Sequence, residues 1–149
     1  MINCGCCPSI INPSPILFFA TSTETATANL IGAGEVTVLT LGVSPASAGT
    51  RQVKLDSTVQ LLATGALLTI NYNVSYRLRR SDLVSPLATL TISRATTITL
   101  ASTFTDIPNL TWNDSISTSV TYTVTIQVNT STGLSSVVAQ TRALNAIVF

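Results

Sequence analysis

Residues 120–128 read Val-Thr-Tyr-Thr-Val-Thr-Ile-Gln-Val, so every second side chain is large and apolar while the positions between carry threonine or glutamine. Residues 68–78 repeat the pattern: Leu68, Ile70, Tyr72, Val74, Tyr76 and Leu78 share one face, and Thr69, Asn71, Asn73, Ser75 and Arg77 the other. A period of two over nine or more residues is incompatible with an amphipathic helix and specifies strands with one buried face. The surrounding composition agrees. Threonine and serine account for 25 and 17 of the 149 residues, and only 9% are charged, so strand and turn formers far outnumber helix formers.

Further strands follow by the same reading. Residues 35–43 come after the Gly32/Gly34 turn, with Val36, Val38 and Leu41 half-buried, and residues 51–62 place Val53, Leu55, Val59 and Leu61 on one face. Residues 87–92 and 96–100 read as a strand split around Arg94, residues 106–109 as a turn at Pro108, and residues 129–133 as a hairpin loop. Residues 134–149 form the last strand, and the alternating threonines at 21, 23, 25 and 27 suit an exposed edge. About eight strands in one domain predict an all-β, antiparallel jelly-roll β-sandwich over residues 16–149. A seven-strand immunoglobulin-like sandwich is the alternative.

Residues 1–15 differ in kind. Pro8, Pro13 and Pro15 exclude a helix and favour an extended arm, and Cys4, Cys6 and Cys7 are the only cysteines of the chain. Ile10 and Ile11, with Ile16, Leu17, Phe18 and Phe19 just beyond, are apolar side chains that call for a docking groove, which a neighbouring subunit would supply. An odd number of thiols points to pairing between chains; a zinc site would need a second chain to complete its ligands, and a reduced, unpaired tail is the remaining reading. The start lacks a basic segment and a long apolar core, so no secretory signal is expected, and the apolar run at residues 16–20 is too short for a membrane helix.

The chemistry available for catalysis is thin. There is no histidine, so a hydrolase triad lacks its usual base, and the expectation is that the chain is not an enzyme and takes no cofactor or metal. Asp106 and Asp114 flank Trp112 and form the one acid pair close in sequence; they read either as glycosidase carboxylates beside a sugar platform or as turn-stabilising side chains beside a core or interface aromatic. Arg77, Arg79 and Arg80 could hold an acidic ligand or, with Asp82 nearby, form a solvated strand end. Asn73, Asn109, Asn113 and Asn129 head glycosylation sequons to which no role is given. A formal net charge of +1 without charge blocks gives no footprint for nucleic acid or an anionic membrane.

Three stretches carry a family resemblance: Cys-Gly-Cys-Cys-Pro at 4–8, Ile-Pro-Asn-Leu-Thr-Trp at 107–112, and Thr-Arg-Ala-Leu-Asn-Ala-Ile-Val-Phe at 141–149. The body resembles the C-terminal domain of collagen-like surface proteins of Bacillus spores, a trimeric jelly roll of the tumour-necrosis-factor or C1q type. A Cys-bearing connector in place of a collagen stalk is similar to the pilin subunits of endospore appendages, especially the thin type. The resemblance implies a subunit of a spore-surface fibre, located on the exosporium or coat. Its implied partners are itself, as a homotrimer stacked into a fibre, with an anchoring protein and a tip protein. In that family the cysteines of the N-terminal connector link subunits, so the resemblance implies Cys4, Cys6 and Cys7 as the candidates for intersubunit disulfides. A lectin-like or receptor-binding module at a fibre tip, using Trp112, Tyr72 or the arginines at 77–80, is the alternative.

Overall fold

A computed structural model describes residues 16–66 and 69–149. Residues 1–15, with Cys4, Cys6, Cys7, Ile10 and Ile11, lie outside the described residues, as does Leu68 at the head of its alternating run. The described chain is all β: β1 (Leu17–Thr23), β2 (Glu35–Val43), β3 (Arg51–Gly65), β4 (Thr69–Arg80), β5 (Ala88–Thr97), β6 (Ser102–Asp106), β7 (Asn109–Ile116), β8 (Val120–Thr132) and β9 (Leu134–Val148).

Two antiparallel sheets face each other. Sheet A has the order β1-β9-β3, with β6 and β7 in tandem along the far edge of β3; sheet B has the order β2-β8-β4-β5. With β6 and β7 counted as one interrupted strand, the chain pairs its first strand with its last, its second with its second-last, and so inward to the β4–β5 hairpin. A long antiparallel ribbon wrapped across two sheets in this way is a jelly roll, not the immunoglobulin arrangement.

The inner faces are those marked by the alternation. Ile70, Tyr72, Val74, Tyr76 and Leu78 of β4 are at most 1% exposed, and Tyr122, Val124 and Ile126 of β8 are fully buried. They meet Val53, Leu55, Val59 and Leu61 of β3 and Val137, Leu144 and Val148 of β9 in one core. Burying each such side chain contributes about 1.5–3 kcal/mol. On β2 a bulge between Thr37 and Leu39 breaks the simple alternation, so Val38 and Leu39 are both buried.

Three expected connections differ. Residues 106–109 do not reverse the chain: β6 and β7 run in the same sense along β3, and the break sits at Pro108 on the sheet edge, where a missing N–H is tolerated. The Pro108 carbonyl still accepts from the Val59 amide at 3.1 Å. The expected split around Arg94 is absent and β5 is continuous, since Arg94 faces inward and finds polar partners there. Residues 129–133 are not a hairpin loop. β8 lies in sheet B and β9 in sheet A, and the chain crosses between them at Gly133 with φ +73°. A Cβ at that position would overlap the Thr69 carbonyl oxygen, so only glycine makes the corner.

The edge strand read from the threonines is β1, but it begins at Leu17 and ends at Thr23. Residues 24–34 then pass alongside β9, with the amides of Thr27 and Leu30 donating to the carbonyls of Ala139 and Val137. Asn29 fastens this segment, its side-chain oxygen accepting from the Ile31 and Val137 amides and its amide donating to Ser135.

Gly133→Ala is expected to lower stability by roughly 3 kcal/mol or more, from left-handed backbone strain plus the carbonyl overlap. Gly42→Ala, at ordinary φ with open space around it, should change stability by less than about 1 kcal/mol. Chemical denaturation of the two variants checks the contrast.

Candidate functional site

The inner face of sheet B carries all three tyrosines of the chain, and a phenol enters a core only if its hydroxyl finds a partner. Each finds one on the opposite sheet. Tyr76 of β4 donates to Ser57 Oγ of β3 at 2.7 Å, Tyr122 of β8 donates to Asp114 Oδ2 of β7 at 2.8 Å, and Tyr72 of β4 donates to Asp106 of β6. Ser57 in turn reaches the Leu110 carbonyl. These are hydrogen-bonded struts across the sandwich.

Two struts end in ion pairs. Arg94 of β5 donates to Asp106 at 2.7 Å and to the Tyr72 hydroxyl at 3.0 Å, and its guanidinium lies 5.1 Å from the centre of the Phe104 ring. Arg80 contacts both Asp114 oxygens, at 2.9 and 3.0 Å, and also Asp82 and the Ser115 carbonyl. The sequence-level acid pair is therefore divided between two separate Arg–Asp–Tyr triads, each carboxylate held by a guanidinium and a phenol. Burial first, then the neighbouring carboxylate, pushes Tyr72 up to about 12 and raises Tyr122 as well; burial alone pushes Tyr76 up to about 12. Arg80 and Arg94 are raised by hydrogen bonds to their aspartates.

The expected arginine cluster is likewise tied up within the fold. Arg77 and Arg79 occupy the outer face of sheet B, while Arg80 points inward. Arg79 binds Glu35 of β2 through Nε at 2.5 Å and a second nitrogen at 2.9 Å, and also donates to the Val84 carbonyl. Arg77 reaches Glu35 at 3.1 Å and Gln127 at 3.0 Å, and Thr125 adds a further hydrogen bond to Glu35. The Arg79 hydrogen bond foremost, with Thr125 and Arg77, holds the Glu35 carboxyl down to about 2. Alternation alone could not show these partners, because each lies on another strand.

The remaining candidates separate. Tyr72 is 1% exposed, which corrects its expected role at a binding surface. Trp112 sits opposite Leu55 on the inward side of β7 and is still 38% exposed at the sheet edge. Leu17 and Phe19 of β1 pack partly against the chain's own core, whereas Ile16 and Phe18 are each 66% exposed. Arg142, which the sequence reading did not single out, is buried on β9; it donates to the Ala139 carbonyl, its Nε has no partner among the described residues, and burial lowers its proton affinity.

Among the described residues no three His, Cys, Asp or Glu side chains group as metal ligands, and no helix is long and apolar enough to cross a membrane. On the outer face of sheet A a depression of about 200 Å³ lies between β3, β7 and β9, lined by Asp56, Thr58, Asn109, Thr111, Ala143 and Asn145.

No family model and no curated protein matches the chain. Among solved structures it is similar to a structure of the infectious bursal disease virus Gx strain, at 9% identity and TM-score 0.42 over 91% of this chain and 32% of that one. It is also similar to the crystal structure of the T13 particle of that virus, at 13% identity and TM-score 0.39 over 89% of this chain and 30% of that one. The chain thus spans under a third of the length of either.

The shifted groups define the limits of stability. Glu35 is held below its ordinary value of 4.5, so the stability it contributes is complete above 4.5 and is lost as pH falls toward 2. Tyr72 and Tyr76 are raised from 10 to about 12, so their contribution is complete below 10 and is lost as pH rises from 10 to 12. Denaturant midpoints across pH should fall at both ends, and Glu35→Gln should flatten the acid limb alone. Tyr76→Phe, which leaves Ser57 without its buried donor, should cost roughly 1–3 kcal/mol at neutral pH by the same measurement.

Proposed function

We propose that this chain is a structural subunit of a spore-surface fibre, a pilus-like endospore appendage, assembled head to tail as residues 1–15 insert into a neighbouring subunit or trimer. The observation that carries the reading is the division of the chain into two chemically different parts. All three cysteines fall within the first seven residues and none in the body. In the body, Glu35, Asp106 and Asp114 are each bound by arginine of the same chain.

Three thiols cannot all pair within one chain, so disulfide formation at all of Cys4, Cys6 and Cys7 requires a thiol from another molecule, which a second copy would supply. β1, the edge of sheet A, begins at Leu17, and Ile16 and Phe18 near its start are largely exposed. A neighbour covering them would gain apolar burial. A proline-bearing segment that favours extended backbone is suited to adding beside an exposed strand, and sheet B ends in β2 and β5, each unpaired along one side among the described residues. A repeated head-to-tail contact whose rotation does not close into a ring grows a filament. An anchoring protein, a tip protein and a place on the exosporium or coat belong to the same reading.

Negative-stain electron microscopy of the purified chain, with and without reductant, tests it alongside a deletion of residues 1–15. Fibres are expected from the full chain and discrete particles from the deletion; fibres from the deleted chain would refute arm insertion. Non-reducing electrophoresis should show covalent multimers that collapse on reduction and disappear in the triple Cys→Ser variant.

A further inference from the structure

The register of sheet A brings six side chains into a grid on its outer face. Asp56 of β3 stands between Thr111 of β7 and Asn145 of β9, and Thr58, two residues on, stands between Asn109 and Ala143. Adjacent strands lie about 4.8 Å apart and same-face neighbours along a strand about 7 Å apart, so the grid measures roughly 10 by 7 Å. Ala143 supplies only a methyl where its neighbours are longer, and the depression of about 200 Å³ lies among these residues. That volume is below the roughly 300–1,000 Å³ of pockets for drug-sized ligands, so the space suits one small ring.

The hydrogen-bonding capacity of the grid is unevenly used. The Thr58 hydroxyl donates to the Pro108 carbonyl and the Thr111 hydroxyl donates to Asp56 at 2.6 Å, while Lys54 lies 3.8 Å from the other Asp56 oxygen. The carboxamides of Asn109 and Asn145 spend no hydrogen bond on the described residues. The open capacity is therefore that of two amides, each able to donate and accept, and one carboxylate that accepts.

We infer that this depression binds a single sugar ring, a neutral hexopyranoside. Its adjacent hydroxyls can each donate to Asp56 or accept from an asparagine amide, and one C–H face can rest on the Ala143 methyl. Other ligand classes fit less well. An anion would meet the Asp56 charge, and an apolar ring would leave both amides unpaired. A calcium ion takes 6–8 oxygen ligands, whereas this grid holds one carboxylate with an ammonium beside it. The site belongs to one chain and does not depend on fibre assembly, although a filament would repeat it and raise its avidity.

Saturation-transfer difference NMR on the full chain tests the inference. The probes are methyl α-mannopyranoside, methyl β-galactopyranoside, methyl β-glucopyranoside and N-acetylglucosamine. Ring protons of at least one should receive saturation, and Asn145→Leu and Asp56→Ala should each weaken binding roughly ten-fold or more. Thr121→Ala, on the outer face of sheet B, should leave the signal unchanged. Melting temperatures establish that the variants are folded, and if Asp56→Ala is not, Asn145→Leu decides alone. No transfer to any of the four probes, or transfer that survives the substitutions at the grid, overturns the proposal.

Discussion

A phenol buried in a sandwich core needs a partner for its hydroxyl, and in this molecule all three tyrosines find one on the opposite sheet. Tyr72, Tyr76 and Tyr122 all project from sheet B, and Asp106, Ser57 and Asp114 receive them on sheet A. Hydrophobic burial brings the sheets together but is non-directional, so it tolerates sliding of one sheet over the other. Three directed bonds at three separate places do not. They fix which residue of β6, β3 and β7 stands opposite which residue of β4 and β8.

The same requirement accounts for the placement of charge. A carboxylate that receives a buried phenol needs a cation to offset its desolvation, and Arg94 and Arg80 provide it at the two triads. Glu35 performs a parallel task on the outer face of sheet B, where it binds β2 to β4 across β8 through Arg77 and Arg79. With so few charged residues, spending them this way leaves outer faces made largely of threonine, serine and asparagine. Such surfaces carry few charges yet are hydrated, and the asparagine–aspartate grid on sheet A is one part of them, with hydrogen-bonding capacity that the described residues do not use.

The described residues form a self-contained sandwich except at residues 16–18 and at the sheet edges. Ile16 and Phe18 are exposed beside β1, and β5 offers an open strand edge. Isolated sandwiches manage such edges by covering or charging them. In the proposed fibre the cover would come from a neighbour.

The sequence by itself determined the strands with a clean period of two and the faces they bury: β2 starts and ends where residues 35–43 predict, and the apolar faces of β3, β4 and β8 are the core. These are local properties, because alternation follows from the backbone pleat alone. What only the tertiary structure decided were the partners and corners. Gly133 reads locally as a hairpin and Pro108 as a turn, but whether a chain reverses or crosses depends on which sheet receives the next strand. Arg94 looks like an interruption until Tyr72 and Asp106 surround it. The carboxylates Asp106 and Asp114 look like a pair until β6 and β7 deliver each to a different tyrosine. The physical reason in the polar cases is that a polar group in a core is satisfied across the gap between sheets, and in every case the deciding residues lie at a distance along the chain that carries no local signal.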